Sequence, residues 1–134
     1  MENCIFCKIV NKEISNYTVY EDENVLAFLD IHPHAKGHTV VIPKVHAETY
    51  FDLSDEQTRS FSLGIKSTMQ KIQDRLQPDG FNVGWNQKEA GGQVVPHLHV
   101  HIFPRWNGDG GGSMHAIIKA PGDTEVSEIA KIFT

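Results

Sequence analysis

Residues 97–103, with the sequence HLHVHIF, alternate between histidine and apolar side chains as far as Ile102. Successive side chains of a β-strand point to opposite faces, so this alternation predicts a strand. The predicted strand runs from His97 to Pro104. It places three imidazoles on one face and buries the apolar side chains in a core on the other. The chain must therefore build a sheet around this segment and leave the three imidazoles accessible for chemistry on one face of it.

Three imidazoles on one surface can serve two kinds of chemistry. Neutral imidazoles bind transition metals. They also carry out proton transfer and nucleophilic attack, with one ring oriented by the next. A histidine-rich strand that simply faces solvent is a third interpretation, and the alternation by itself leaves all of them open.

The loop before the predicted strand favours phosphorus chemistry. It contains Gly91-Gly92-Gln93, and glycine lets backbone N–H groups approach an anion closely. Gln93 adds a neutral donor, and Arg105, just after the strand, could supply positive charge. Because a Gly-Gly pair alone is also explained by a simple turn, the prediction depends on the loop and the histidines together.

The only two cysteines, Cys4 and Cys7, are separated by two residues. In a protein of a reducing compartment, such a pair is better interpreted as half of a metal site or as a redox pair than as a structural disulfide. The alternative is two buried thiols that merely pack.

The rest of the chain predicts an α+β fold, with a single domain over residues 1–134 formed by an antiparallel five-stranded sheet, one long helix and one short helix. Ser54, with Gln57 three residues later, predicts the start of the long helix, which Pro78-Asp79-Gly80 ends. Residues 87–93 are predicted to be a flexible connection. The other predicted elements are strands at 17–21, 25–30, 38–43 and 81–86, a short helix at 4–12 and a short last helix at 125–133.

Composition narrows the classes of partner. The formal net charge is −5 over 134 residues, which argues against broad binding of nucleic acid or of an anionic membrane surface. No apolar run approaches the ~20 residues of a membrane span, and the first residues lack a signal pattern. These features predict a cytoplasmic protein.

The pattern of residues 97–103 resembles the signature of the histidine triad (HIT) family. The similarity is closest to the branch of nucleotide-binding HIT hydrolases that includes the Hint proteins. It extends over most of the chain through Ile5–Ile9, Ala27–Ile31 with Pro33, Gly37-His38, Val41–Lys44, His46, Asn86, Gly91–Gln93 and Pro104-Arg105.

The resemblance implies a mechanism. Family members hydrolyse or transfer nucleoside monophosphates through a covalent nucleotidyl-histidine on the middle histidine, which here is His99. His101 would contact the phosphate oxygens or the leaving group. His97 and His38, the latter on the neighbouring strand, complete the implied catalytic set. A neutral imidazole is a good nucleophile near neutral pH when its other nitrogen is bonded to a carbonyl.

The resemblance also implies a nucleotide site. Asp30 matches a carboxylate that bonds both ribose hydroxyls, with a turn-entry aspartate as the alternative interpretation. Asn86 matches a residue near the phosphate, and Gly92 and Gln93 belong to the phosphate loop. Many relatives have serine or threonine at the position of Val94, so altered handling of the leaving group is expected. The implied base slot, which plain core packing would explain equally well, consists of Phe6, Ile9, Phe28 and Ile31.

Members that carry the cysteine pair resemble zinc-bound forms. The implied ligands are Cys4, Cys7, His46 and His97, a closed set that would be structural. The family also implies a homodimer.

Three functions follow from the resemblance. The leading one is release of AMP or GMP from phosphoramidates or mixed anhydrides, with a small purine nucleotide as substrate. The second is cleavage of dinucleoside polyphosphates. The third is a nucleotide- or zinc-binding adaptor with vestigial activity.

Overall fold

The computed structural model describes residues 3–134, and its backbone has the predicted α+β architecture. The strands are β1 (Thr18–Glu21), β2 (Val25–Leu29), β3 (Thr39–Pro43), β4 (Gly80–Gly84) and β5 (Val100–Arg105). The α-helices are α1 (Ile5–Val10), α2 (Asp55–Leu76), α3 (Lys88–Gly91) and α4 (Val126–Ala130). Short 3₁₀ turns lie at Tyr50–Asp52, Met114–Ala116 and Lys131–Phe133.

The strands form one open sheet in the order β1-β2-β3-β5-β4. Every neighbouring pair is antiparallel, which confirms the predicted sheet. β5 lies between β3 and β4, and within this register Val40 pairs with His101 and Gly84 pairs with His101 on the other side. His101 is therefore held by the sheet on both edges of β5.

The sheet has two buried faces with different partners. One face packs against α2, whose Phe61 and Ile72 are buried in the same cluster. The other packs against α1 through Ile9. Alternation along the strands, and along the extended entry to β5, divides their side chains between the two faces. The α2 face takes Val25, Ala27, Val41, Leu98, Val100 and Ile102, and the α1 face takes Leu26, Phe28, Val40 and Ile42.

The long helix begins and ends close to the predicted positions. Ser54 accepts a hydrogen bond from the Gln57 N–H at 3.1 Å, and the Gln57 side chain accepts from the Ser54 N–H at 2.9 Å. This is the reciprocal cap that the sequence predicts. The helix ends where Gln77 takes a left-handed conformation, with φ of 54°, before Pro78.

Gly64 lets α2 approach the sheet closely. A Cβ atom at this position would lie 2.6 Å from the nearer Cγ of Val25, which is fully buried in β2. We expect Gly64→Ala to lower the free energy of unfolding by about 1–2 kcal/mol, because overpacking of about 1–3 kcal/mol exceeds the gain in helix propensity. Urea unfolding measures this change. Ser62→Ala, exposed on the same helix, is the control, and a Gly64→Ala protein as stable as wild type would show that α2 can shift outward.

Three sequence predictions need correction. β5 begins at Val100, so His97 and His99 precede the strand instead of lying within it. The backbone of this entry segment bonds elsewhere, since the Leu98 N–H donates to the Ala47 carbonyl at 2.7 Å. The connection expected to be flexible contains the single-turn helix α3. β4 ends at Gly84, two residues earlier than expected, so Asn86 lies beyond the strand.

Within residues 3–134, no helix has both the length and the apolar character that a bilayer-spanning segment requires.

Candidate active site and metal centre

His97 lies fully buried at the entry to β5, between α1 and the end of β3. Its Nε2 is 2.9 Å from the Pro43 carbonyl, which can only accept, so Nε2 carries the proton. Burial lowers the pKa of His97 to about 4, and the ring is neutral at neutral pH. Its Nδ1 therefore presents a lone pair, and this atom lies 3.3 Å from Cys4 Sγ and 3.6 Å from Cys7 Sγ.

His46 completes a four-residue cluster with these groups. Its Nδ1 is 3.3 Å from Cys7 Sγ, and one atom each from Cys4, Cys7, His46 and His97 lies within 4.8 Å of all the others. Sulfur and nitrogen ligands of a tetrahedral zinc ion are about 3.6 Å apart, given bond lengths of about 2.3 and 2.0–2.1 Å. The three sulfur–nitrogen separations of 3.3, 3.3 and 3.6 Å lie close to this value, so the donor set suits such an ion.

The start of α1 arranges the two cysteines. Cys4 is the N-cap residue, and its sulfur accepts the Cys7 N–H at 3.3 Å, which turns both thiols to the same side. Both thiols are free and buried. Burial raises the pKa of the Cys7 thiol, so a bound cation would be needed to hold it as the thiolate. His46 is exposed and gives the cluster an opening to solvent.

His99 is oriented for nucleophilic chemistry. Its Nδ1 donates to the His97 carbonyl at 2.7 Å, which leaves Nε2 with the lone pair. The residue is 8% exposed, and burial lowers its pKa. The edge of the Phe6 ring packs against the imidazole, with centroids 5.0 Å apart. A neutral imidazole with a fixed tautomer is therefore presented beside α1.

His38 and His101 form a directed chain of hydrogen bonds. The His34 N–H donates to His38 Nδ1 at 3.2 Å, so the proton of the neutral His38 ring is on Nε2. That N–H donates to His101 Nδ1 at 2.9 Å, which leaves the His101 proton on its own Nε2. Burial lowers the pKa of both rings, and that of His101 falls to about 4. His101 therefore offers a neutral N–H donor.

The carboxylate of Asp30 lies beside this chain, with Oδ2 3.6 Å from His38 Nε2. The three side chains Asp30, His38 and His101 are close enough to hold a metal. The His34 amide, however, already uses the one lone pair of a neutral His38 ring. The arrangement is therefore a hydrogen-bonded relay and not a second metal centre.

Asp30 and the apolar side chains border the histidines. Asp30 Oδ1 accepts the His32 N–H at 2.8 Å, as in a turn-entry aspartate, and Oδ2 is the oxygen left for another partner. Phe6 bridges Phe28 and His99, with a Phe6–Phe28 centroid distance of 5.9 Å. Of the implied base-slot residues, Ile9 and Phe28 are buried in the core beneath α1, whereas Ile31 is 73% exposed.

The glycine loop is built differently from the anion cradle that the sequence suggests. The N–H groups of Gly92 and Gln93 bond the Glu89 and Lys88 carbonyls, closing the turn of α3. The Gln93 amide donates to the Glu48 carbonyl at 2.8 Å and to the Val95 carbonyl at 3.0 Å. These donors hold the loop in place.

Three other loop and rim residues have distinct environments. Asn86 is exposed and lies against Gly92, whose φ is 96°. Val94 is 89% exposed at the outer side of the loop. Arg105 donates to the Asp109 carboxylate, to Asn82 Oδ1 in β4 and to the Gly112 carbonyl. It therefore does not supply charge to the histidines as expected.

Sequence reasoning missed the groups that orient the rings. Two of them, the Pro43 carbonyl and the His34 N–H, belong to the main chain, and no residue type marks such a role. Glu48, which holds the glycine loop, was missed as well. Its carbonyl accepts from the Gln93 amide, and its carboxylate accepts from Lys88 Nζ at 3.3 Å. Its only signal was a position two residues after His46.

Comparison with known proteins places these features in a family. A family model described as HIT domain matches residues 11–108. Protein hit of Bacillus subtilis (strain 168) is 45% identical over 136 residues, which cover 97% of this chain and 94% of that protein. A HIT-like protein of Methanocaldococcus jannaschii is 50% identical over 107 residues, covering 80% and 82%. Adenosine 5'-monophosphoramidase hnt1 of Schizosaccharomyces pombe is 41% identical over 105 residues, covering 78% and 76%.

Solved structures agree. A HIT family member of Bacillus subtilis has a TM-score of 0.84 at 40% identity, covering 98% of this chain and 92% of its own. A HIT family hydrolase of Legionella pneumophila has a TM-score of 0.68 at 36% identity, covering 90% of this chain and 100% of its own. A zinc-bound histidine triad family protein of Mycobacterium smegmatis has a TM-score of 0.76 at 37% identity, covering 81% of this chain and 79% of its own.

The chain belongs to the HIT domain family, as its histidine pattern and its match over residues 11–108 show. Relatives in this family include a hydrolase and an adenosine 5'-monophosphoramidase.

Proposed function

We propose that the protein is a HIT hydrolase that releases a nucleoside monophosphate from phosphoramidates or mixed anhydrides, through a covalent nucleotidyl intermediate on His99. The observation that carries this proposal is the His99 ring itself. Its Nδ1–H is bonded to the His97 carbonyl at 2.7 Å, so its Nε2 lone pair is available for attack. The phosphoramidase activity named for the hnt1 relative supports the reaction class.

In the first step, His99 Nε2 attacks the α-phosphorus, an N–P bond forms, and the bond to the leaving group breaks with its electron pair. The His99 ring becomes cationic and keeps the Nδ1 proton, which the His97 carbonyl stabilises. The His101 Nε2–H donates to a phosphoryl oxygen or to the leaving group, which takes up a proton from solvent. Water then attacks phosphorus and releases a proton to solvent, the N–P bond breaks with its electron pair returning to Nε2, the monophosphate departs, and neutral His99 is restored.

The nucleotide would lie against the side of the sheet that α1 covers. Asp30 Oδ2 would accept from the ribose, and the apolar surface around Phe6 and Ile31 would contact a purine. Gly92, Gln93 and Asn86 would shape the phosphate end. A homodimer remains part of this proposal.

The four-residue cluster would hold zinc through Cys4, Cys7, His46 and His97. The zinc-bound relative of Mycobacterium smegmatis and the close approach of two sulfur and two nitrogen donors support this assignment. A closed set of four protein ligands leaves no open position, so the metal would supply structural stabilisation and no Lewis-acid chemistry.

The experiment is to trap the intermediate. The protein is mixed with adenosine phosphoramidate or with a diadenosine polyphosphate and quenched rapidly, and the adduct is located by peptide mass spectrometry. We expect a nucleotidyl group on His99 and faster AMP release from the phosphoramidate. Turnover with the adduct on another residue would contradict the mechanism. Faster cleavage of the polyphosphate would favour the second function, and binding without turnover would favour an adaptor.

A further inference from the structure

His97 connects the metal cluster to His99 through separate atoms of one residue. Its Nδ1 faces Cys4 Sγ and Cys7 Sγ at 3.3 and 3.6 Å. Its carbonyl oxygen accepts the His99 Nδ1–H at 2.7 Å. The position of the His97 peptide therefore decides where the His99 ring lies and which of its nitrogens carries the proton.

The sheet does not hold this peptide. β5 begins at Val100, so residues 97–99 have no place in the strand ladder. The fixed points of His97 are its ring, bonded to the Pro43 carbonyl at 2.9 Å and facing the thiols, its own N–H, which donates to the Val95 carbonyl at 2.8 Å within the same loop, and the Leu98 N–H, which donates to the Ala47 carbonyl at 2.7 Å. Without a metal, the contacts to sulfur are weak hydrogen bonds.

The second histidine of the cluster, His46, leads to the loop that precedes β5. The carbonyls of the two residues that follow His46 both accept hydrogen bonds. The Ala47 carbonyl accepts from Leu98 at 2.7 Å, and the Glu48 carbonyl accepts from the Gln93 amide at 2.8 Å. An ion held between His46 and His97 would fix both the entry to β5 and the loop before it.

We propose, building on the proposed function, that Cys4, Cys7 and His46 are positioning residues for the reaction. A metal ion held with His97 immobilises the His97 peptide, and this peptide holds the His99 ring in its attacking tautomer and orientation. Zinc in this protein then has a purpose beyond stability, because its removal disorders the nucleophile before it unfolds the chain.

The test reads the His99 ring directly, by ring-nitrogen NMR of isotope-labelled full-length protein at one fixed neutral pH. Zinc-loaded wild type is compared with protein stripped by a chelator, with Cys7→Ser, and with Cys7→His, which keeps a zinc ligand. We expect a single His99 tautomer when zinc is bound, tautomer averaging after stripping or in Cys7→Ser, and recovery with added zinc or in Cys7→His. We also expect kcat to fall about 10–100-fold on stripping, with KM changed less than about twofold.

Ile72→Ala is the matched control, because the cavity it leaves in the core on the α2 face lowers stability by an amount comparable to loss of the ion, and Ile72 is neither a metal ligand nor one of the histidines of the site. If this variant disorders the His99 tautomer as much as zinc removal does at equal loss of stability, the metal is merely structural and the proposal is overturned. An unchanged His99 spectrum in stripped protein also overturns it. The proposed function fails separately, when zinc-loaded protein with an ordered His99 forms no nucleotidyl adduct.

Discussion

Replacing His99 with alanine is expected to lower kcat for nucleotide release by at least about 10,000-fold, because the atom that forms the bond to phosphorus is removed outright. The side chain is 8% exposed and packs on Phe6, so some loss of stability will accompany the change. Steady-state release of AMP from adenosine phosphoramidate measures the effect. Calorimetric binding of AMP to the variant should change by less than about tenfold, since nucleotide contacts remain.

His115→Ala is the matched control for loss of an imidazole. His115 is exposed on the turn Met114–Ala116 and bonds only Ser113 among the described side chains. Its substitution should leave kcat within about twofold of wild type. Turnover by His99→Ala at the wild-type rate would refute the nucleophile assignment and favour the binding adaptor.

The double variant Cys4→Ala, Cys7→Ala is expected to bind no zinc and, through loss of the ion alone, to lose about 4 kcal/mol of unfolding free energy in zinc-containing buffer. This is the stabilisation that a ligand gives at about 1,000 times its dissociation constant. For a domain of this size it corresponds to a fall in Tm of roughly 10–20 °C. Scanning calorimetry with metal analysis of the same samples measures both quantities.

Stripped wild-type protein is the reference for this prediction, because it keeps the thiols and lacks the ion. In that background the cysteine substitutions should cost only about 1–2 kcal/mol, for the loss of two small buried side chains. Wild-type protein that contains no zinc after preparation with metal and reductant, and whose Tm is unaffected by added zinc, would exclude the metal site.

The alternation of residues 97–102 predicted the faces correctly, because it reports only which side chains share a side. Leu98, Val100 and Ile102 lie in the α2 cluster, whereas His97 and His99 contact Phe6 of α1 and His101 contacts His99. It could not predict where the strand begins. Periodicity carries no information on hydrogen-bond partners, and the Leu98 N–H bonds Ala47 instead of a neighbouring strand.

The glycine loop shows a different limit of sequence reasoning. Glycine can adopt a positive φ, and Gly92 does so, but this freedom does not determine which way the neighbouring backbone amides point. The loop turns its amides inward to close α3, an arrangement that Gln93 reinforces from its side chain. The cysteine pair behaves similarly: its spacing indicates half of a metal site, whereas the partners His46 and His97 are brought to it only by the fold.

The division of the sheet into two faces has a consequence for how such a chain can vary. Ile72, Val25 and their neighbours pack on the face of the sheet opposite α1 and the Phe6–His99 contact, so drift among them should adjust heat tolerance and cellular lifetime and leave the chemistry intact. Phe6 cannot vary in this way, because its ring packs in the core on the α1 face and also contacts His99. Adaptation to a new temperature and adaptation to a new substrate can therefore proceed through different residues of the same three central strands.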